Sequence, residues 1–436
     1  MRWIGFFSVL FFAIPGHAIE YFTDEMIALV GVNVIPMNTE TVLSNQTILV
    51  KDGKINKIGD VNSVKIPRKA ERVDMKDAYV IPGLIDLHIH FNAGRKNNAE
   101  QLNFYIANGV TSALCMRGSK GLRNLVEQVD SGEILGPEVF CASPIQGNIS
   151  PTPPTYEIGQ NVVRQFHKEG YDFVKVYNFI PEEGYRGIVD EAKKLNMRLV
   201  GHTVRSVGLD ECLASGQHLA HMEEVIYGFF ADGLDESKIP EVTKKFKDAG
   251  TSIIATLIAY HNIIRQVDDI ETMLQTPGIE YLPKVMTNSW HPPINDYLNR
   301  FDAESNRDRL KPAFAFQQKL LKSFVEADVP ILLGTDAGIP IVVPGYSAHA
   351  ELLELVESGM TPYQALEAGT RGAAEFLEAA DEIGTIEVGK RADFIVLEKN
   401  PLNDIRNSTS ILGVSIRGKW MEKPELQKLM DDIKPD

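Results

Sequence analysis

Between residues 83 and 380, eight apolar runs of strand length alternate with helical stretches, and this alternation restricts the fold more than any other feature of the chain. The runs are LIDLHIH (84–90), VTSALCM (110–116), EVFCAS (138–143), DFVKVY (172–177), RLVGHT (198–203), QHLAHM (217–222), TSIIATL (251–257) and PILLGTD (330–336). Strands buried on both faces read as nearly continuous apolar segments, and helices between them make the connections parallel. EEGYRGIVDEAKKLN follows the fourth run with a helical pattern, and Thr361-Pro362-Tyr363-Gln364 is a capping box with proline at the first helical position. Eight such units predict a (β/α)8 barrel. The alternative, an open doubly wound sheet, finds no Gly-rich phosphate loop at the first βα turn. One link is too long: residues 258–329, with Tyr260, His261, Trp290 and His291, suit a lid or an oligomer contact.

The flanks have a different character. ALVGVNVIPM, QTILVKDGKINKIG and ERVDMKDAYV before the barrel, and ADFIVLEKN and ILGVSIRGKW after it, read as short strands joined by Asp-Gly and Gly-Asp turns. Neither flank holds enough apolar residues for its own core. The economical prediction is one small composite β-sandwich built from 19–82 and 381–436, with the barrel over 83–380.

Residues 1–18 stand apart from both. Arg2, an apolar run from Trp3 to Ile14 and the small-x-small ending Gly16-His17-Ala18 form a signal peptide pattern, which predicts export to the periplasm or the medium. The run is short for a membrane anchor, and no later segment reaches bilayer-spanning length, so no integral span is expected after signal removal. With 59 acidic against 44 basic residues the formal charge is −15. Such a surface repels phosphate backbones and excludes nucleic acid as a natural partner, leaving a small molecule. Cys115, Cys141 and Cys212 are too few and too scattered for a disulfide framework or a structural zinc site.

The chemistry-bearing residues gather at the ends of the runs, where barrels of this kind place their active sites. His88 and His90 sit at i and i+2 of the first strand and so share a face. Lys175 lies inside the fourth run. A lone ammonium there is costly, so it must be paired, neutralised or modified, and a neutral amine in that position is able to take up carbon dioxide as a carbamate. His202 ends the fifth run and His221 the sixth; His218, three positions earlier, should face the other way and pack. Asp336 closes the eighth run as an acid-base candidate. Arg117, Tyr177 and His261 are expected near the mouth as substrate contacts, and Glu223 and Glu224 are candidates for ordering His221.

Together the stretches VIPGLIDLHIHF, VGHT, HLAHMEE and LLGTDAG, with HAELLELVESGMTPYQALEAGTRGAA and GTIEVGKRADFIVLEKNPLNDI, resemble the amidohydrolase superfamily in its imidazolonepropionase-like branch. The resemblance spans nearly the whole chain after the leader. It implies a hydrolase of carbon–nitrogen bonds with two divalent metal ions, usually zinc. By that analogy His88, His90 and Asp336 hold one ion and His202 and His221 the other. A carboxylated Lys175 bridges them, and Asp336 serves as general acid and base. Imidazolonepropionase-like members with one metal lack the lysine, so Lys175 points toward prolidase-like dipeptidases. Two rival readings are a hydrolase of lactones or phosphotriesters on the same site, and a catalytically silent barrel acting as a scaffold. Homo-oligomer formation is left open.

Overall fold

The computed structural model describes residues 26–91, 98–147 and 152–435. The signal peptide pattern lies outside the described residues. All eight apolar runs contain parallel strands. Strands one to three (Leu84–Ile89, Val110–Cys115, Glu138–Cys141) form one sheet. Strands four to eight (Phe173–Val176, Arg198–Gly201, His218–Ala220, Ile253–Ile254, Ile331–Leu332) form a second, paired in chain order. Backbone hydrogen bonds cross both gaps between these sheets. Ser143 N donates to Phe173 O (2.8 Å) and Gln146 N to Lys175 O (3.1 Å); Leu87 N donates to Leu333 O (3.1 Å) and His90 N to Ala337 O (2.8 Å). Ile85, Leu87, Leu114, Phe173, Val200, Ile254 and Leu332 pack in a single buried cluster with Phe376 and Ile383, so the space between the strands is filled by side chains.

The strands are shorter than the runs that announced them, because the chain turns before each run ends. His221, Thr256 and Asp336 have φ of 74°, 51° and 61°, and Gly201 has 150°. At Gly201 a Cβ would overlap the Val176 carbonyl oxygen, so glycine alone fits. His202, His221 and Asp336 therefore leave the ladder just where their side chains can turn inward.

Strands from both chain ends join one mixed eight-stranded sheet. The junction is antiparallel, with Phe394–Leu397 against Tyr79–Pro82 and Ile395 opposite Ile81. The Asp-Gly hairpin appears as expected: Asp52 and Gly53 have φ of 51° and 72°, the primed turn that matches strand twist. Buried charges tie this sheet to the parallel β/α core. Arg391 bonds both Asp393 (2.5 Å) and Glu138 (2.8 Å), and Arg417 donates to the carbonyls of Val129 and Gly136.

Much of the long connection is helical. Leu257–Asp268 and Leu310–Glu326 are regular helices, and only 269–309 is an excursion of short turns and helices. Trp290 anchors that excursion, buried against Phe104 and Leu282. The cysteines are free thiols, all buried. The capping box is present at Thr361 and Gln364.

Candidate metal centre

On strand one the two-residue period does what it predicts. Nε2 of His88 and Nε2 of His90 both approach Oδ1 of Asp336, at 3.3 and 2.8 Å. Asp336 is fixed by its own backbone, whose N–H donates to the His88 carbonyl at 2.7 Å. Asp86, which the sequence reading passed over, clamps the same corner. Its carboxylate accepts from His88 N (3.1 Å), Thr335 N (3.0 Å) and Thr335 Oγ1 (2.6 Å), locking strand one to the turn after strand eight. The signal for it was in the sequence, since Asp86 continues the i, i+2 series of His88 and His90.

The remaining predicted residues close the ring. The His221 ring lies 4.5 Å from that of His88 and 4.7 Å from that of His202. His202 and His221 are each steered through Nδ1. His202 Nδ1 lies 2.8 Å from Glu224 Oε1, and His221 Nδ1 lies 2.8 Å from Thr256 Oγ1. With Nδ1 protonated and donating, Nε2 keeps its lone pair for a cation. Glu224 is held in turn by Asn178 Nδ2 (2.9 Å) and Thr203 N (3.1 Å). The expectation that Glu223 and Glu224 order His221 is thus corrected: Glu224 orders His202, Thr256 orders His221, and Glu223 lines the cavity. The cause is topological, because the turn after strand six lies beside strand five.

Burial, reinforced by neighbouring charges, lowers the basicity of His88, His202 and His221 and keeps them neutral. Burial pushes Asp336 up, but the His90 hydrogen bond and the charges of His90, His221 and Lys175 outweigh it and leave it below the usual carboxylate value. Burial alone brings Lys175 down to about 8, against the pull of Asp336 and Glu224. The residue is 1% exposed, and among the described residues Nζ has no hydrogen-bond partner. A partnerless buried amine beside neutral imidazoles and an ionised carboxylate is a poor end state for a folded protein. The donor set of nitrogen and carboxylate oxygen atoms suits divalent cations, and His88, His90 and Asp336 satisfy the spacing of a metal site.

Above these residues opens a cavity of about 370 Å³. Arg117 and Tyr177 line it as expected, with the Tyr177 ring 3.8 Å from that of His202. His261 does not. It bonds Glu354 (2.7 Å) and packs on Phe314, fastening helix Leu257–Asp268 to helix Tyr346–Glu357. A helix turns successive residues through about 100°, so Tyr260 faces the cavity while its neighbour faces away. His218 packs as predicted, accepting from Ser252 and lying against Phe376. Glu223, Tyr227, Tyr260, Tyr297 and Arg300 also line the cavity. Burial raises Glu223 to about 8, with Glu224 and Asp336 adding to the rise and Arg300 opposing it.

A parallel β/α core thus carries a candidate His-His-Asp metal site at its strand ends. The amidohydrolase family model matches residues 79–421, and the chain belongs to that family, whose members are generally metal-dependent. It is 26% identical over 385 residues to an imidazolonepropionase of Thermoplasma volcanium, covering 83% of this chain and 86% of the relative. It is 24% identical to an ochratoxinase of Aspergillus niger over 414 residues, covering 84% and 79%. The solved structure of a Xaa-Pro dipeptidase with bound methionine superposes with a TM-score of 0.71 at 19% identity, covering 91% of this chain and all of that one. The protein is a hydrolase of carbon–nitrogen bonds.

Proposed function

We propose that this chain hydrolyses a small amide, a dipeptide or an N-acyl amino acid, at a two-metal site. His88, His90 and Asp336 would hold one ion and His202 and His221 the other, zinc being the expected metal. Lys175 would contribute as a carbamate, formed when its neutral amine adds to carbon dioxide and releases a proton. The single observation carrying this reading is the convergence of both strand-one Nε2 atoms on Asp336, beside a buried lysine that has no hydrogen-bond partner among the described residues. When bound, such an ion pair makes hydroxide available near neutral pH and polarises the scissile carbonyl.

The residues of the chain do the rest. Asp336, on a fixed turn, accepts the proton of the attacking water and returns it to the departing nitrogen. Water thus adds across the amide, leaving a carboxylate and a free amine. Tyr177, its ring tilted against that of His202, forms the wall against which the substrate lies. We further propose that the two parallel sheets form one closed barrel over 83–380, supported by backbone bonds across both gaps. The single sheet that takes strands from Ile27–Pro82 and from Phe394–Glu422 supports a composite β domain built from both ends of the chain. Export to the periplasm or medium rests on the leader pattern in residues 1–18. Among the described residues no helix is long and apolar enough to cross a membrane.

The test is a panel of dipeptides including Xaa-Pro, N-acyl amino acids, lactones and phosphotriesters, offered to the zinc-loaded protein. Release of a free amine from an amide is expected. Turnover confined to the lactones or phosphotriesters would overturn the proposal.

A further inference from the structure

The stretch that roofs the cavity has almost nothing apolar to hold it down. Tyr297, Arg300 and Phe301 line the cavity from the excursion after strand seven. Burial raises the Tyr297 hydroxyl and the Asp336 charge adds to the rise, so this ring hangs over the candidate ligands. Trp290 anchors the chain just before the stretch. Among the described residues between 291 and 309, however, Asn295 alone is buried, at 1% exposure. A segment with so few buried apolar contacts is placed by the specific bonds it makes, and here one amide makes them.

The bonding of that amide is complete. Asn295 Nδ2 donates to Gln266 Oε1 and to the Trp290 carbonyl, both at 2.8 Å. Its Oδ1 accepts from Tyr297 N (3.0 Å) and Leu298 N (3.3 Å), capping the short helix Asp296–Arg300. Two N–H donors and two lone pairs are all that an asparagine amide has. By contrast, the bonds from Asn299 to the Pro293 carbonyl and from Asn306 to that of Arg300 stay within the stretch. Gln266, also 1% exposed, lies on helix Leu257–Asp268 and donates through Nε2 to the Asn262 carbonyl at 3.1 Å. Asn262 Nδ2 in turn donates to the Ile341 carbonyl at 3.0 Å, in the turn that follows Asp336. Three buried amides thus run from that turn through one helix to the roof, and none of the three lines the cavity. Burying an amide is costly unless it is bonded, so a satisfied chain of this kind admits one arrangement and resists sliding.

We propose that Gln266 and Asn295 are positioning residues for the substrate: their bond fixes the height of Tyr297, Arg300 and Phe301 over the candidate metal ligands. The assignment rests on the amide-hydrolase reading only in taking this cavity for the substrate's place. A roof set in this way acts alike on bound substrate and transition state, so loosening it raises KM and spares kcat.

The experiment measures steady-state kinetics with Ala-Phe on the zinc-loaded protein. Gln266→Met keeps the side-chain length and leaves both the cavity lining and the cap at Asn295 intact. It should raise KM by about 3- to 10-fold, the range of a lost neutral hydrogen bond, with kcat within about twofold and zinc content unchanged. Asn295→Ala should raise KM at least as far, and the double variant no further than Asn295→Ala, because both remove the same link. A merely structural bond would lower the melting temperature and leave KM where it was. Unchanged KM in folded Gln266→Met would therefore overturn the proposal, as would a fall in kcat alone. If Ala-Phe is not cut, hydrogen exchange read by mass spectrometry takes the place of kinetics. Faster exchange over 296–301 in Gln266→Met is then expected, and unchanged exchange there overturns the proposal. Absence of turnover would count against the amide-hydrolase reading alone.

Discussion

Replacing Glu224 by glutamine tests how the second half of the site is held. The Glu224 carboxylate accepts from His202 Nδ1 at 2.8 Å through one oxygen, and from Asn178 Nδ2 at 2.9 Å and Thr203 N at 3.1 Å through the other. A glutamine of the same shape has a single acceptor oxygen. Kept toward Asn178 and Thr203, its amide N–H₂ meets the protonated Nδ1 of His202, donor against donor. The imidazole must then turn or move its proton to Nε2, the nitrogen needed for the cation. Losing a hydrogen bond to a charged acceptor costs about 1.5–3 kcal/mol, which converts to a 10- to 150-fold weaker complex. Loss of such outer partners elsewhere weakens metal binding by about 10- to 100-fold. Titrating metal-free protein with zinc against a chromophoric chelator should resolve two binding phases. Glu224→Gln should weaken the phase belonging to His202 and His221 and spare that of His88, His90 and Asp336. Two unchanged phases in a variant with unaltered thermal unfolding would refute the argument.

Asp336→Asn keeps a ligand oxygen but cannot carry the proton, so kcat at saturating zinc should fall by about 10²- to 10⁴-fold; a loss smaller than tenfold would remove Asp336 from that role. Dialysis against a chelator should abolish amide hydrolysis and lower the melting temperature, with both restored by zinc, since a ligand bound only by the folded state stabilises it. Calorimetry with parallel rate measurements checks this. His349, which donates from Nε2 to the Asn108 carbonyl and accepts Ser408 Oγ at Nδ1, is brought down to about 4 by burial, against the opposing pull of that carbonyl. The fold holds it neutral, so its contribution is complete above the unfolded value of about 6.5 and is lost as pH falls toward 4. The loss is at most about 3 kcal/mol over that window. Urea unfolding between pH 7 and 4.5 should show a shallower decline in His349→Gln than in the unaltered chain, and identical slopes would count against the assignment.

How much of this was legible depended on whether a local period carried it. The strand period of two put His88 and His90 on one face, and position at the end of an apolar run marked His202, His221 and Asp336. Lys175 was conspicuous because nothing else charged interrupts its strand. What needed the fold was contact between elements. Glu224 reaches His202, 22 residues away, only because the turn after strand six folds back beside strand five. Thr256 reaches His221 from a left-handed turn that no sequence pattern announced. His261 was placed at the mouth by its distance along the chain, whereas the helix it belongs to carries it to the far face. Arg300 lies in an excursion without apolar periodicity, and nothing in the sequence indicated that it returns over the cavity.

The central claim is that Lys175 completes a two-ion site, and metal content measured by mass spectrometry tests it most directly. The unaltered protein, purified with bicarbonate and zinc and then desalted, should retain two ions per chain. Lys175→Ala should retain one or none, because the side chain proposed to join the two halves is gone. Equal metal content in both proteins, or full activity in a sample free of metal, would contradict the account.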